Sequence, residues 1–157
     1  MTVAPVVSAL PQRILGKTGE QVPILGLGTA PGGFGLEDAA AIELIEMAID
    51  RGVTYLDTAP GYERAQSQLG NIVPRRRDEI FLVTKVLTSD GKEAVEKLEE
   101  NLRVLQTDAV DVCYVHSLGH LDVDQVLAKD GSLAGLRDAQ KRGLTRYVGF
   151  TAHHKPA

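Results

Sequence analysis

The chain has 157 residues, of which 43% are hydrophobic and 24% charged, with a formal net charge of −4 and no tryptophan. That length suits one domain with one ordinary core, the composition is that of a soluble globular protein, and the mildly acidic balance gives no reason to expect nucleic acid or an anionic membrane as partner. No stretch approaches the roughly 20 apolar residues of a membrane helix, and the single cysteine, Cys113, excludes an intrachain disulfide and reads as a small buried hydrophobe in a reducing cytoplasm.

Residues 1–11 read as a flexible lead-in, since they lack the basic and long apolar regions of a signal peptide. RILGKTGEQVPILGLGTA then predicts a hairpin turning at Gly16 to Gly19 and a buried strand around Ile24 to Gly28. GTAPGGFG lacks the spacing of a phosphate loop and reads as a flexible loop. LEDAAAIELIEMAIDRG carries Ala41, Ile42, Ile45, Ala48 and Ile49 on one helical face and stops at Gly52. VTYLD is a strand, RAQSQLGNIV a helix interrupted by Gly70, PRRRDE a charge run solvating the next loop, and EIFLVTK a strand. KEAVEKLEENLRVLQ repeats Val95, Leu98, Leu102 and Leu105 at helical spacing, and VDVCYVH follows as a strand. GHLDVDQVLAKDG reads either as an insertion-like loop near the rim or as a plain connector ending in the helix cap Ser132. SLAGLRDAQKRG is a helix and RYVGFT the last strand.

Strand and helix alternate strictly, which predicts an α/β fold with a parallel sheet of about five strands and four helices after the hairpin. In such folds the loops at the carboxyl edge carry the chemistry. Three consecutive strands end in Asp57, Lys85 and His116, and Tyr62 lies on the loop after Asp57. Each has a structural explanation alone: a turn cap, a solvated strand end, a satisfied histidine. Together they make a polar pocket in which an ammonium lowers a phenol's pKa, a carboxylate holds the ammonium, and an imidazole polarises a ligand. No cluster of Cys and His has metal spacing, and no metal is expected.

These segments resemble the aldo-keto reductase family. LGKTGEQVPILGLGT is similar to its opening hairpin and first strand, GVTYLDTAPGY to its aspartate and tyrosine segment, and FLVTK to its lysine strand. LQTDAVDVCYVH is similar to its histidine strand and KRGLTRYVGFT to its fifth strand, so that the resemblance covers residues 12–155 in family order. It implies a (β/α)8 TIM barrel, present here in part as an incomplete domain over 12–157 cut after the fifth strand. It also implies NADPH (NADP+) as cofactor and a small aldehyde or ketone as substrate. Tyr62 is then the general acid, Lys85 the group that lowers its pKa, Asp57 the partner of Lys85, and His116 the holder of the substrate oxygen. Gly28 and Thr29 match residues near the nicotinamide ribose, and Asp57 joins them. Thr151 matches a hydroxyl that helps bind the carboxamide. Ala152 stands where the family has asparagine, so that His153 takes that role or is a polar loop residue with His154.

Such barrels take about 250 residues, and this chain is expected to be the catalytic amino-terminal part of a longer reductase. Its first and fifth strands would then have unpaired edges, which invite self-association. Two other functions fit the same residues: a Schiff-base aldolase using Lys85, and a catalytically idle interaction or regulatory protein on the barrel scaffold.

Overall fold

The computed structural model describes residues 10–153; most of the lead-in, at 1–9, and the end of the chain from His154 lie outside the described residues. An antiparallel hairpin of β1 (Gln12–Ile14) and β2 (Gln21–Pro23) opens it. Gly16 and Gly19 turn the hairpin with φ of 53° and 81°, the left-handed region that costs glycine least.

There follow β3 (Gly26–Gly28), α1 (Ala30–Gly35), α2 (Asp38–Asp50), β4 (Tyr55–Asp57), α3 (Ala65–Gly70), α4 (Val73–Arg76) and β5 (Phe81–Val86). The last elements are α5 (Gly91–Leu105), β6 (Val110–Val115), α6 (Val123–Leu127), α7 (Ser132–Lys141) and β7 (Thr145–Phe150). The strands β3 to β7 pair in parallel in chain order, so that each helical connection crosses to the neighbouring strand as in a (β/α)8 barrel. Among the described residues β3 and β7 are the free edges of the sheet.

The strands divide two cores by their alternation. Leu56, Leu82, Cys113 and Val115 pack outward against Ile45 and Ile49 of α2, Leu69 of α3, Leu98 and Leu105 of α5, and Leu136 of α7. Phe81, Val83 and Val112 face the other way with Tyr55, Tyr114 and Tyr147, and Val22 and Leu15 of the hairpin close that face from below. The hairpin is tied down by polar contacts as well: Tyr147 donates to Glu20 Oε1 at 2.7 Å, and Arg146 pairs with Glu20. Strand β5 is buried at every position because it lies between both cores.

Several local expectations are corrected. GTAPGGFG forms α1 in place of a flexible loop, and its glycines serve close packing: a Cβ on Gly33 would lie 2.1 Å from the Tyr62 carbonyl oxygen and 2.9 Å from Ala65. One neighbouring expectation holds: the helix over RAQSQLGNIV breaks at Gly70, where α3 ends before α4 begins at Val73. PRRRDE is folded into α4 and a 3-10 turn at Arg77–Glu79, where Arg77 bonds buried Asp111 at 3.0 Å. The connector after His116 holds a 3-10 turn at Leu118–His120 and α6, capped by Asp122. Seven α-helices among the described residues therefore stand where about four were expected. Ser132 is the first residue of α7, which is capped at Gly131 without a side-chain bond. A side chain at 131 would meet the Gln125 carbonyl oxygen at 2.1 Å, so a serine or aspartate cap has no room there. Cys113 is fully buried as expected, and burial pushes its thiol pKa up to about 12. No helix among the described residues is long and apolar enough to cross a membrane.

The contact at Gly33 generates a stability prediction. Gly33→Ala is expected to cost about 1–3 kcal/mol by overpacking, read as a lower urea midpoint. Gly35→Ala, where an added Cβ meets nothing within 4 Å, should stay within about 0.5 kcal/mol of the parent. Equal midpoints for the two variants would contradict the packing role of Gly33.

Candidate active site

All eight site residues expected from sequence lie at or beyond the carboxyl end of the sheet, where a parallel barrel gathers its chemistry. Asp57 is the last residue of β4, Lys85 the penultimate residue of β5, and His116 follows β6 directly. Gly28 ends β3 in register with Asp57. Thr29 stands at the N-cap of α1 directly after β3, while Thr151 and His153 follow β7.

Lys85 is the centre of this arrangement. It is 3% exposed, and its ammonium donates to Asp57 Oδ1 and to the Thr58 carbonyl at 2.9 Å. An ammonium this deep is tolerated only with such partners, because desolvation without them costs several kcal/mol. Nζ stands 4.9 Å from the centroid of the Tyr62 ring, within the range of a cation–π contact. The Tyr62 ring is edge-on to His116, with centroids 6.5 Å apart, and tilted against exposed Phe34 at 6.4 Å.

Backbone bonds fix these groups. Thr29 donates to the Asp57 carbonyl twice, from its N–H at 2.9 Å and from its hydroxyl at 3.0 Å, and thereby locks the end of β4 to the start of α1. The amide of buried Asn101, on α5, donates to the Lys85 carbonyl at 2.9 Å. The His116 N–H donates to the Val86 carbonyl at 2.8 Å. Glu63 and Ser117, next to Tyr62 and His116, have φ of 47° and 55°, and account for two of the three described non-glycine residues with positive φ. Such conformations cost of order 1 kcal/mol and gather where the surroundings over-determine the backbone.

His116 has its Nδ1 2.8 Å from the Thr151 hydroxyl and its ring 5.3 Å from that of exposed His153, edge to face. Burial, then the Lys85 ammonium and His153, push its pKa below the ordinary 6.5, with Asp57 opposing. The imidazole is therefore neutral near pH 7. Tyr55, on the same face one turn of the pleat below Asp57, is held by burial and its bond to Tyr114 well above the ordinary tyrosine range. Tyr62 is thus the phenol beside the ammonium at the rim, and Tyr55 lies beneath it, bonded to Tyr114.

Sequence reading missed Asn101 and the inward use of the Thr29 and Thr151 hydroxyls. Asn101 did leave a signal, since it falls on the buried face of α5 with Ala94, Leu98 and Leu105, where an apolar residue is expected. The hydroxyls left none, because their partners lie 28 and 35 residues away. No group of three or more His, Cys, Asp or Glu among the described residues could hold a metal ion.

A half-barrel of parallel strands with a buried lysine–aspartate pair, a tyrosine and a histidine at its carboxyl rim defines a class of α/β enzyme-like site. The sequence model of the Aldo/keto reductase family matches residues 24–156, and the chain belongs to that family. The aldo-keto reductase YhdN of Bacillus subtilis is 35% identical over 117 residues, covering 63% of this chain and 35% of its own. The methylglyoxal reductase DkgB of Salmonella typhi is 30% identical over 137 residues, 83% of this chain and 48% of its own. A Klebsiella pneumoniae aldo-keto reductase, solved in complex with NADPH, superposes with a TM-score of 0.75 at 25% identity over 87% of this chain and 48% of its own. The chain thus spans about half the length, or less, of the curated relatives it matches.

The lowered pKa of His116 sets a pH dependence. The unfolded chain binds a proton at about 6.5 and the folded one only at lower pH, so the stability contributed by neutral His116 is full above 6.5 and is lost as pH falls through the folded value. An NMR titration should place the His116 midpoint below 6.5, and His116→Gln should flatten the loss of stability on the acid side. A midpoint above 6.5 would contradict the burial and Lys85 effects.

Proposed function

We propose that this chain carries the catalytic site of an NADPH-dependent reductase that converts an aldehyde or ketone to an alcohol, reversibly. The observation that carries the reading is the burial of the Lys85 ammonium between Asp57 and the Tyr62 ring at the sheet's carboxyl rim. Nothing in a core calls for that arrangement, whereas protonation of a carbonyl oxygen does.

The described residues fit the nicotinamide end of the cofactor. The Thr151 hydroxyl keeps a lone pair that can accept from a carboxamide, exposed His153 lies beside it, and Gly28 leaves the edge of β3 open near Thr29 and Asp57. When bound there, the reduced nicotinamide supplies hydride to the carbonyl carbon. The protein's part is to manage charge and protons. Tyr62 gives its phenolic proton to the carbonyl oxygen as general acid. Lys85 stabilises the negative charge that develops on the Tyr62 oxygen, and Asp57 keeps the ammonium in place. Neutral His116 donates a hydrogen bond to the same substrate oxygen, a preorganised contact that strengthens as that oxygen gains charge. Phe34 forms an apolar wall beside Tyr62 for the substrate's carbon chain.

The engagement of Lys85 by both Asp57 and Thr58 favours this reading over a Schiff base at Lys85, which needs the amine's lone pair. The relative named for methylglyoxal reduction makes a small α-oxoaldehyde the first substrate to try.

The test is carbonyl-dependent NADPH oxidation by the purified chain. Tyr62→Phe is expected to lower turnover by about 10²–10⁴-fold, the range of general acid catalysis, while nicotinamide fluorescence still reports binding. Undiminished turnover in Tyr62→Phe, or parent chain that binds NADPH and oxidises none with any carbonyl, would overturn the proposal.

A further inference from the structure

The contact between His116 and Thr151 decides something the rim geometry leaves open, namely which nitrogen of the imidazole carries its proton. Thr151 is clamped directly after β7: its N–H donates to the Val115 carbonyl at 3.0 Å, and its carbonyl accepts from the Leu118 N–H at 2.7 Å. Its hydroxyl oxygen accepts from the Ser117 N–H at 3.0 Å and lies 2.8 Å from His116 Nδ1. The left-handed backbone at Ser117, φ 55°, turns that N–H toward the hydroxyl.

A hydroxyl has one proton and two lone pairs. With one lone pair engaged by Ser117, the proton is free to be donated, and Nδ1 is the acceptor in reach. If Nδ1 were the protonated nitrogen, the hydroxyl would accept twice and its own proton would have no acceptor among the bonds of the described residues. The first arrangement pairs the hydroxyl with both of its neighbours, and the second leaves its proton without a partner among them. It leaves the ring proton on Nε2, which bonds none of the described residues and is the nitrogen available to a ligand.

We propose that Thr151 is a positioning residue that sets the tautomer of His116: its hydroxyl donates to Nδ1, so that the imidazole presents Nε2–H as a hydrogen-bond donor at the rim. The depressed pKa of the ring agrees with a neutral imidazole, for which the tautomer matters. That the donor serves a carbonyl oxygen rests on the reductase reading; the tautomer itself does not. One consequence follows for the cofactor contact expected of Thr151. With its proton committed to Nδ1, the hydroxyl can serve a carboxamide only as acceptor, from the amide N–H.

The experiment is long-range proton–nitrogen NMR of the 157-residue chain with labelled histidine, run on the parent, Thr151→Ser and Thr151→Val. The parent and Thr151→Ser are expected to show His116 wholly as the Nε2–H form. Thr151→Val, which removes the hydroxyl at nearly constant volume, should show the mixed tautomers of an unconstrained imidazole. A parent spectrum with Nδ1–H, or a Thr151→Val spectrum unchanged from the parent, would overturn the proposal. Should Thr151→Val fail to fold, the parent and Thr151→Ser spectra still decide it. In the reductase assay Thr151→Val should lose about tenfold or more in turnover, equivalent to about 1.4 kcal/mol, and Thr151→Ser should restore it. Absence of turnover in all three chains alongside the expected spectra would count against the reductase reading and leave the tautomer assignment standing.

Discussion

A lysine ammonium cannot remain in an apolar interior without partners, and the carboxyl rim of this sheet is organised by that constraint. Lys85 lies on the most buried strand and reaches Asp57 and the Thr58 carbonyl from one side of β4. To hold them there, Thr29 grips the Asp57 carbonyl with two bonds, and Asn101 grips the Lys85 carbonyl from α5. The polar residues of the rim are thus tied to the sheet and to helices α1 and α5, and the site inherits the rigidity of the core beneath it.

Around that pair the chain is packed at close range. Helix α1 comes so near to the Tyr62 loop that position 33 admits no side chain, and the loop itself turns through a left-handed residue at Glu63. His116 is held in a comparable way, by a backbone bond to β5, a left-handed residue at Ser117 and the Thr151 hydroxyl after β7. Tyr62 and His116 meet edge to face beside the ammonium because the three adjacent strands β4, β5 and β6 end at the same edge of the sheet. The proposed carbonyl reduction would ask for donors fixed before charge develops, and the bonds that stabilise the rim fix its polar groups in that way.

The alternation of strands and helices, the parallel sheet and the four rim residues were legible in the sequence because they rest on local signals: apolar runs, helical periodicity, and ionisable residues at or just after the ends of those runs. What was not legible depends on partners remote in the chain. GTAPGGFG looks flexible in isolation and is helical because Gly33 lets α1 settle on the Tyr62 carbonyl. PRRRDE looks like a solvated run, yet Arg77 is drawn in by Asp111, which also bonds the Leu82 N–H and Arg146. Ser132 has the chemistry of a helix cap, but crowding at Gly131 places it inside the helix with its hydroxyl unpartnered. Periodicity reports which face of an element is buried, and it does not report which polar group waits on the other side.

The central claim is that the Asp57–Lys85 pair is a single unit whose two halves depend on each other, and a double-mutant cycle tests it most directly. Urea unfolding of Asp57→Asn, Lys85→Met and the double variant gives the coupling. Asp57→Asn alone, which strands the buried ammonium, should cost about 3 kcal/mol, and Lys85→Met less, because Asp57 keeps 29% of its side chain exposed to water. The double variant should recover about 1–3 kcal/mol of the summed losses. Losses that add to within about 0.5 kcal/mol would mean that the two groups are energetically independent, and would contradict the claim.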